Sequence, residues 1–176
     1  MAEILTLRAE TNDDADFLFR LYASTREEEM KMVPWSAEQK DAFLRMQFQA
    51  QTTHYHHYFV DASFMVISYE GRAAGRLCVH RGQQEIRVVD IALLPEYRNV
   101  GIATTLLKDI LSEAESSGRS VGMHVLRNSP ALRLYERLGF QVTHDEGVYL
   151  YVEKYSSVQA NEVVGRSTEV EMGQAG

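Results

Sequence analysis

Apolar residues fall into distinct patterns along this 176-residue chain, and each pattern predicts a different element. Alternation or short apolar, β-branched runs predict strands at 4–7, 64–69, 73–80, 85–94, 120–126, 140–144 and 148–153. Spacing by three and four predicts helices. One carries Phe17, Leu18, Leu21 and Tyr22, a second Phe43, Met46, Gln47 and Ala50, and a third Ile102, Leu106, Leu107, Ile110, Leu111 and Ala114. Boundary residues agree with these spans. Thr11-Asn-Asp-Asp14 and Ser36-Ala-Glu-Gln39 read as capping boxes, the second opening a helix from 37 to about 51. Ser129 as N-cap with Pro130 behind it starts a short helix that stops before Gly139, and Gly118 closes the third helix. Glu70-Gly-Arg72 and Asp145-Glu-Gly147 are hairpin turns. From about Tyr155 the chain turns to Ser, Gln, Glu, Val and Gly without a period. Residues 1–154 thus read as a single domain and 155–176 as a flexible C-terminal tail, or an arm onto a partner subunit.

The resulting order, β-α-α-β-β-β-α-β-α-β-β, predicts an α/β fold with a mixed central sheet and helices on both faces. Its most informative part is the strand at 85–94 with the helix that follows. Ile86, Val88, Val89 and Ile91 make a buried strand, and Pro95 ends it because it has no N–H for a ladder. The loop 98–101 then lies at a helix N-terminus, where N–H groups lack intrahelical partners and the macrodipole adds positive potential. Arg98 adds a full charge, and Gly101 lets a ligand approach the backbone. A diphosphate fits such a nest. Taken alone, the loop reads equally well as an ordinary connection with an exposed Arg and a turn glycine. The fixed nucleotide patterns do not decide it, since G-x-x-x-x-G-K-S/T is absent and no G-x-G-x-x-G follows a strand.

The flanks add a second motif. Arg98-x-x-Gly101-x-Ala103 follows a strand ending Ile91-Ala-Leu-Leu-Pro-Glu, and Asn128-Ser-Pro-Ala-Leu-Arg-Leu-Tyr135-Glu-Arg-Leu-Gly-Phe140 comes later in the chain. With both motifs in this order, the chain resembles the GNAT superfamily of N-acetyltransferases, strongly from about 67 to 151 and only in topology before that. The resemblance implies acetyl-CoA (coenzyme A) as cofactor and donor. It places Arg98, Asn99, Val100, Gly101, Ile102, Ala103 and Thr104 at the diphosphate, with Ala103 a variant of the family's final glycine. It puts Asn128 and Tyr135 beside the pantetheine arm, with Tyr135 as general acid, and Ile91 and Leu93 on the strand that bonds the pantetheine amides. Leu93 then supplies the backbone N–H to the thioester carbonyl.

Acetyl transfer to an amine requires a deprotonated amine, a stabilised oxyanion and a proton for the thiolate. An alkylamine of pKa ~10.4 is mostly protonated at neutral pH, so a base or a water chain must take its proton. Many relatives carry Glu six residues before the oxyanion position, and here Arg87 stands there. Glu85 and Arg87 share a strand face, so they could pair or leave Arg87 to hold an acceptor's carboxylate. Asp90 sits in mid-strand among apolar residues, where a carboxylate is costly unless bonded or functional. His124 lies on the next strand and carries an imidazole, a side chain suited to proton transfer. Water relayed to Glu85, Asp90 or His124 is the working expectation, against equal structural readings as an ion pair, a satisfied core polar group and a core histidine. Tyr135 likewise shares a helical face with Ala131, Leu134 and Leu138, as a core tyrosine would.

The acceptor pocket is expected from Trp35, Gln47, Phe48, Gln51, His54, Tyr55, His56 and Tyr58, with Trp35, Gln47, Tyr55 and Arg87 as its principal residues. The run His54-Tyr-His56-His57 lacks a defined ligand spacing, so no metal is expected. Glu27-Glu-Glu29 reads as a solvated helix end or as a site for a cationic amine. Gly118-Arg-Ser120-Val-Gly122 matches the G-x-S-x-G of serine hydrolases, with His144 and Asp145 downstream. A nucleophile elbow runs strand to helix, however, and here a helix precedes a strand.

A formal net charge of −7 argues against nucleic acid as main partner and suits an amine-bearing acceptor, a small molecule or a peptide. The one cysteine, Cys78, excludes an internal disulfide and reads as a buried, inert thiol. The chain opens without a basic-then-apolar signal, and no apolar run approaches ~18 residues, which predicts a soluble cytoplasmic protein without a membrane partner, monomeric or homodimeric. The function expected is acetyl-CoA-dependent N-acetyl transfer to a small molecule, amino acid or peptide amine. The alternative is a non-catalytic acyl-CoA-binding or sensing domain of the same fold, suggested by Arg87.

Overall fold

A computed structural model describes residues 4–172. The elements are β1 (Leu5–Ala9), α1 (Ala15–Thr25), α2 (Glu27–Lys31), α3 (Ala37–Tyr58), β2 (Ser63–Tyr69), β3 (Arg72–Arg81), β4 (Glu85–Leu93), α4 (Ile102–Ser117), β5 (Ser120–Leu126), α5 (Leu132–Arg137), β6 (Gln141–Glu146), β7 (Tyr149–Lys154) and α6 (Ser157–Met172). The strands form one mixed seven-stranded sheet in the order β1-β2-β3-β4-β5-β7-β6, the α/β architecture predicted. The chain divides into two compact units, residues 4–80 with 89–102 and residues 81–88 with 103–172. The hydrophobic pattern treats 1–154 as one domain because it reports where elements lie and not how their contacts cluster.

In the first unit, β1 and β2 pair antiparallel from Leu5↔Tyr69 to Ala9↔Met65, and β2 pairs antiparallel with β3. Val66, Ile67, Ala74, Leu77, Cys78 and Val79 from these strands are buried, as are Leu18, Leu21 and Tyr22 of α1 and Leu44 of α3. Phe48 of α3 lies 6.0 Å from Phe19 and 5.5 Å from Tyr22, so aromatic contact joins the two helices. At the entry to α1 the Thr11 N–H donates to the Asp14 carboxylate at 2.8 Å, and the Arg8 guanidinium donates to it at 2.8 and 2.6 Å. The Arg8 guanidinium, followed by the Thr11 N–H, holds the Asp14 carboxyl well below the usual carboxylate range. Such a depressed group stabilises the fold above its unfolded pKa and loses that effect as the pH falls. Asp14→Asn should therefore cost about 1–2 kcal/mol in urea unfolding at about pH 7 and progressively less below about pH 4, whereas a pH-independent cost contradicts the ion-pair account.

Two helical segments of this unit depart from the pattern. The acidic run at 27–29 forms α2 itself, with Glu27, Glu28 and Glu29 in the first turn, where negative charge favours a helix, and Lys31 bonded to Glu28 at 2.7 Å. The helix α3 runs on from the expected end near 51 to Tyr58. Thr52, Tyr55 and Phe59, each partly buried, continue one face at helical spacing, and low-propensity Thr and His obscure this in the sequence.

In the second unit, β4 residues Glu85, Ile86 and Arg87 pair in parallel with Ser120, Val121 and Gly122 of β5. The crossover helix α4 closes where the Arg119 N–H reaches the Ala114 carbonyl at 2.9 Å. Antiparallel β7 pairs with β5 and with β6, the latter through an irregularity between Val142 and His144. Ile86, Leu106, Leu107, Ile110, Val121, Met123, Leu150 and Val152 are buried and make its core. The helix α5 starts at Leu132 and not at 130, because the Ser129 side chain accepts from the Ala131 N–H at 3.2 Å in the turn before it. The largest departure is α6, helical where the aperiodic composition predicts a flexible tail. Its first turn is tied down. The Ser156 N–H donates to Gln159 Oε1 at 3.2 Å, the Ser157 N–H to Glu115 at 3.1 Å, and Gln159 Nε2 to the Gln84 carbonyl at 3.0 Å. The last part of the expected tail, 173–176, lies outside the described residues. Among the described residues no helix is long and apolar enough to cross a membrane.

Candidate active site

The strand-to-helix loop is built as the sequence predicts, with one addition. After β4, Pro95 opens a short turn and Arg98 is extended. Asn99 and Gly101 then both adopt left-handed conformations, φ 61 and φ 89, before α4 begins at Ile102. Gly101 suits that backbone angle, and a Cβ there would meet no protein atom within 4 Å. Asn99, Val100 and Gly101 are exposed, Ile102 is buried, and Ala103 and Thr104 lie half-buried in the first turn of α4. The addition concerns Arg98. Its guanidinium turns back on the strand, donating through Nε to the Leu93 carbonyl at 2.9 Å and through Nη2 to Ser24 Oγ at 3.5 Å. Besides adding charge to the loop, Arg98 therefore braces the end of β4. Ile91 lies half-buried and Leu93 buried in that strand.

The first unit also holds a charge cluster. Arg76 is 3% exposed, which a guanidinium tolerates only with partners. Glu10 lies 2.6 Å from it and Asp90 3.9 Å. Burial pushes the Asp90 carboxyl up to about 6, with Arg76 opposing and Glu10 adding to the rise. Its side chain keeps 24% exposure. Burial likewise pushes the Cys78 thiol up to about 12, leaving it an inert core group. Of the expected acceptor residues, Tyr55 joins this cluster, with the Arg76 guanidinium 5.9 Å from its ring. Gln47 instead accepts from the Tyr22 hydroxyl at 3.4 Å. Trp35 stands apart, edge-on to Phe43 at 5.2 Å. His56 stacks on Phe64 at 4.2 Å while His54 packs on Tyr58 at 4.5 Å, so the histidine run separates into different environments along α3. Among the described residues no group of three or more His, Cys, Asp or Glu is arranged to hold a metal ion.

In the second unit Glu85 and Arg87 form the pair their shared strand face allows, Nε to Oε1 at 3.3 Å. A residue not foreseen from the sequence completes it. The Tyr151 hydroxyl donates to Glu85 Oε2 at 2.8 Å and accepts from Arg87 Nη2 at 3.1 Å. Desolvation, followed by the Glu85 carboxylate, pushes the Tyr151 phenol up beyond its ordinary range. Gly122 makes room for this arrangement, because a Cβ there would overlap the Tyr151 hydroxyl and stand 2.8 Å from Glu85 Oε2. Alternation along β7 could have flagged Tyr151, but only the pairing of β7 with β5 brings it to His124 and Gly122. His124 is not a core histidine: its side chain is 42% exposed, and Nε2 lies 3.1 Å from Glu146. Asn128 is exposed in the turn after β5.

Tyr135 is 8% exposed on α5. The helix end fixes its backbone, since the Phe140 N–H donates to the Tyr135 carbonyl and the Gly139 N–H to the Glu136 carbonyl, both at 3.0 Å. The Tyr135 and Phe140 rings meet edge-on at 6.1 Å, the apolar contact that accompanies this closure. Ser120 opens β5 at 4% exposure, its hydroxyl directed to the Gln84 carbonyl at 3.4 Å, and Asp145 pairs with Arg127, so the hydrolase-like G-x-S-x-G has no nucleophile geometry.

Comparison with known proteins bears on the family and the fold. The sequence model of the Acetyltransferase (GNAT) family matches residues 17–140, more than half of the chain. A Bacillus subtilis protein named as a ribosomal protein bS18-alanine N-acetyltransferase is 26% identical over 131 residues, 73% of this chain and 76% of that protein. Cysteine-rich protein 2-binding protein of mouse and human is 32% identical over 68 residues, 39% of this chain and only 8% of the length of that protein. The fold matches PaiA N-acetyltransferase from Thermoplasma acidophilum, solved in complex with coenzyme A, with a TM-score of 0.65 and 19% identity over 86% of this chain and 98% of that one. With more than half of its length matched, the chain belongs to the acetyltransferase (GNAT) family.

Proposed function

We propose that this chain is an acetyl-CoA-dependent N-acetyltransferase whose acceptor is a primary amine of a small molecule, amino acid or peptide. The observation that carries the reading is the loop after β4, where left-handed Asn99 and Gly101 lead into the N-terminus of the sixteen-residue helix α4. These residues fit a diphosphate, so residues 98–104 would hold that part of coenzyme A, with Ile91 and Leu93 along its pantetheine arm. The bound thioester supplies an activated acetyl group.

The chain's own residues then divide the proton work. As the amine nitrogen bonds to the acetyl carbon and the C–S bond breaks, Asp90 would take the amine proton, directly or through water, the Leu93 N–H would meet the carbonyl oxygen, and the Tyr135 hydroxyl would protonate the departing thiolate. Asp90 is favoured over Glu85 and His124 because Glu85 is tied to Arg87 and Tyr151, and His124 to Glu146. Burial pushes the Asp90 carboxyl toward neutral pH, where a general base is most effective. The Bacillus relative, named for an alanine acceptor in a ribosomal protein, supports a peptide N-terminus within the acceptor class. Thiol release from acetyl-CoA, followed across a panel of peptides and small amines, tests the reading. Release that depends on one amine class is expected. Binding of acetyl-CoA without release on any amine would favour a non-catalytic acyl-CoA-sensing domain.

A further inference from the structure

We infer that Gly75 of β3 is a positioning residue: its missing side chain seats the Ala92 carbonyl and thereby turns the Leu93 N–H toward the opposite edge of β4. A Cβ on Gly75 would overlap the Ala92 carbonyl oxygen, with the carbonyl carbon farther off at 3.2 Å and Leu93 Cδ2 at 2.8 Å. Because the oxygen is nearer than the carbon, the C=O bond is aimed at Gly75. A trans peptide holds its N–H antiparallel to its C=O, so the Leu93 N–H leaves β4 on the side away from β3.

The next peptide is fixed in the complementary sense. The Leu94 N–H donates back to the Ala74 carbonyl of β3 at 2.9 Å, while the Leu93 carbonyl, on the far side, is held by Arg98 Nε at 2.9 Å. Both polar groups of Leu93 thus leave on one edge. Arg98 holds the carbonyl, and the N–H is the donor that this edge presents. An oxyanion donor works only within about 2.7–3.1 Å of the developing charge, so a few tenths of an ångström matter. Any side chain at residue 75 would push the Ala92 carbonyl away and rotate the same rigid peptide that carries the donor. The inference rests on the acetyltransferase reading, with Leu93 as donor, and goes beyond it by assigning the donor's aim to a β3 residue that touches no substrate.

Steady-state kinetics of Gly75→Ala test it against Leu77→Ala, a buried change on the same strand. At a temperature where both variants are folded, Gly75→Ala is expected to lower kcat by about tenfold to hundredfold with the acetyl-CoA KM within about threefold, while Leu77→Ala lowers Tm but leaves kcat within about twofold. Equal kcat in Gly75→Ala and wild type, or kcat losses that simply follow Tm in both variants, overturns the inference. Should Gly75→Ala fail to fold, Gly75→Ala combined with Leu93→Ala removes the contact at Leu93 Cδ2 and keeps the overlap with the Ala92 carbonyl. A kcat about tenfold or more below that of Leu93→Ala alone is then expected, and equal kcat in the two overturns the inference. An inactive wild type overturns the acetyltransferase reading together with this inference, whereas an active wild type with an equally active Gly75→Ala overturns the inference alone.

Discussion

Asp90→Asn is expected to lower kcat/KM by about 10²–10³ near pH 7 while making the protein more stable at alkaline pH, a divergence that follows from one buried carboxylate. The kinetic loss is that of a general base, because Asn keeps the shape and replaces the basic carboxylate with an amide that cannot take the amine proton. The stability gain follows from linkage. Burial raises the Asp90 carboxyl from 3.8 to about 6 in the folded chain, so the fold favours the protonated form. For a raised pKa the stabilising contribution is full below the unfolded value and is lost as the pH rises through the folded one. A shift of about two pH units corresponds to at most about 3 kcal/mol, and the Asp90–Arg76 attraction in the ionised protein offsets part of any gain from Asn, leaving about 1–2 kcal/mol at about pH 8 and none near about pH 4. Thermal melts at both pH values and the pH dependence of kcat/KM check this. Wild type should gain activity as the pH rises through about 6, a limb that Asp90→Asn lacks. A less stable variant with wild-type kinetics would make Asp90 a partner of Arg76 and nothing more.

Tyr135→Phe is expected to lower kcat by about 10²–10³ with the affinity for acetyl-CoA changed less than about threefold. The substitution removes one hydroxyl. It retains the ring that meets Phe140 and the backbone bonds at 3.0 Å that close α5. Single-turnover thiol release and calorimetric titration with acetyl-CoA separate the two effects. An unchanged rate would return Tyr135 to the role of a core tyrosine, which its helical face also allows.

What the sequence discloses here is mostly local. The periods of β2, β3, β4 and α4 and the loop at 98–101 depend on neighbours a few residues away, and they form where the pattern puts them. The interactions that decide what the site can do join residues far apart in the chain. Glu10 meets Arg76, and Tyr151 meets Glu85 and Arg87, only once β1, β3, β4, β5 and β7 have paired. From the sequence alone Arg76 is one charge in an apolar run and Tyr151 one aromatic in a strand. Arg98 is legible as a charge beside a phosphate loop, but its bond to the Leu93 carbonyl depends on how the short turn at Pro95–Tyr97 doubles back. The helix α6 escapes notice for a different reason: side-chain bonds from Ser156, Ser157 and Gln159 secure its first turn, and a hydrophobic period does not reveal these.

The most direct test of the central claim is mass spectrometry of a peptide with a free N-terminus after incubation with acetyl-CoA and the purified chain, beside the same peptide with that amine blocked and with thiol release measured in parallel. The account predicts one acetyl group on the free α-amine for each thiol released, and neither product with the blocked peptide. Thiol release without an acetylated amine, or retention of acetyl-CoA without release on this peptide or any amine of the panel, would contradict it.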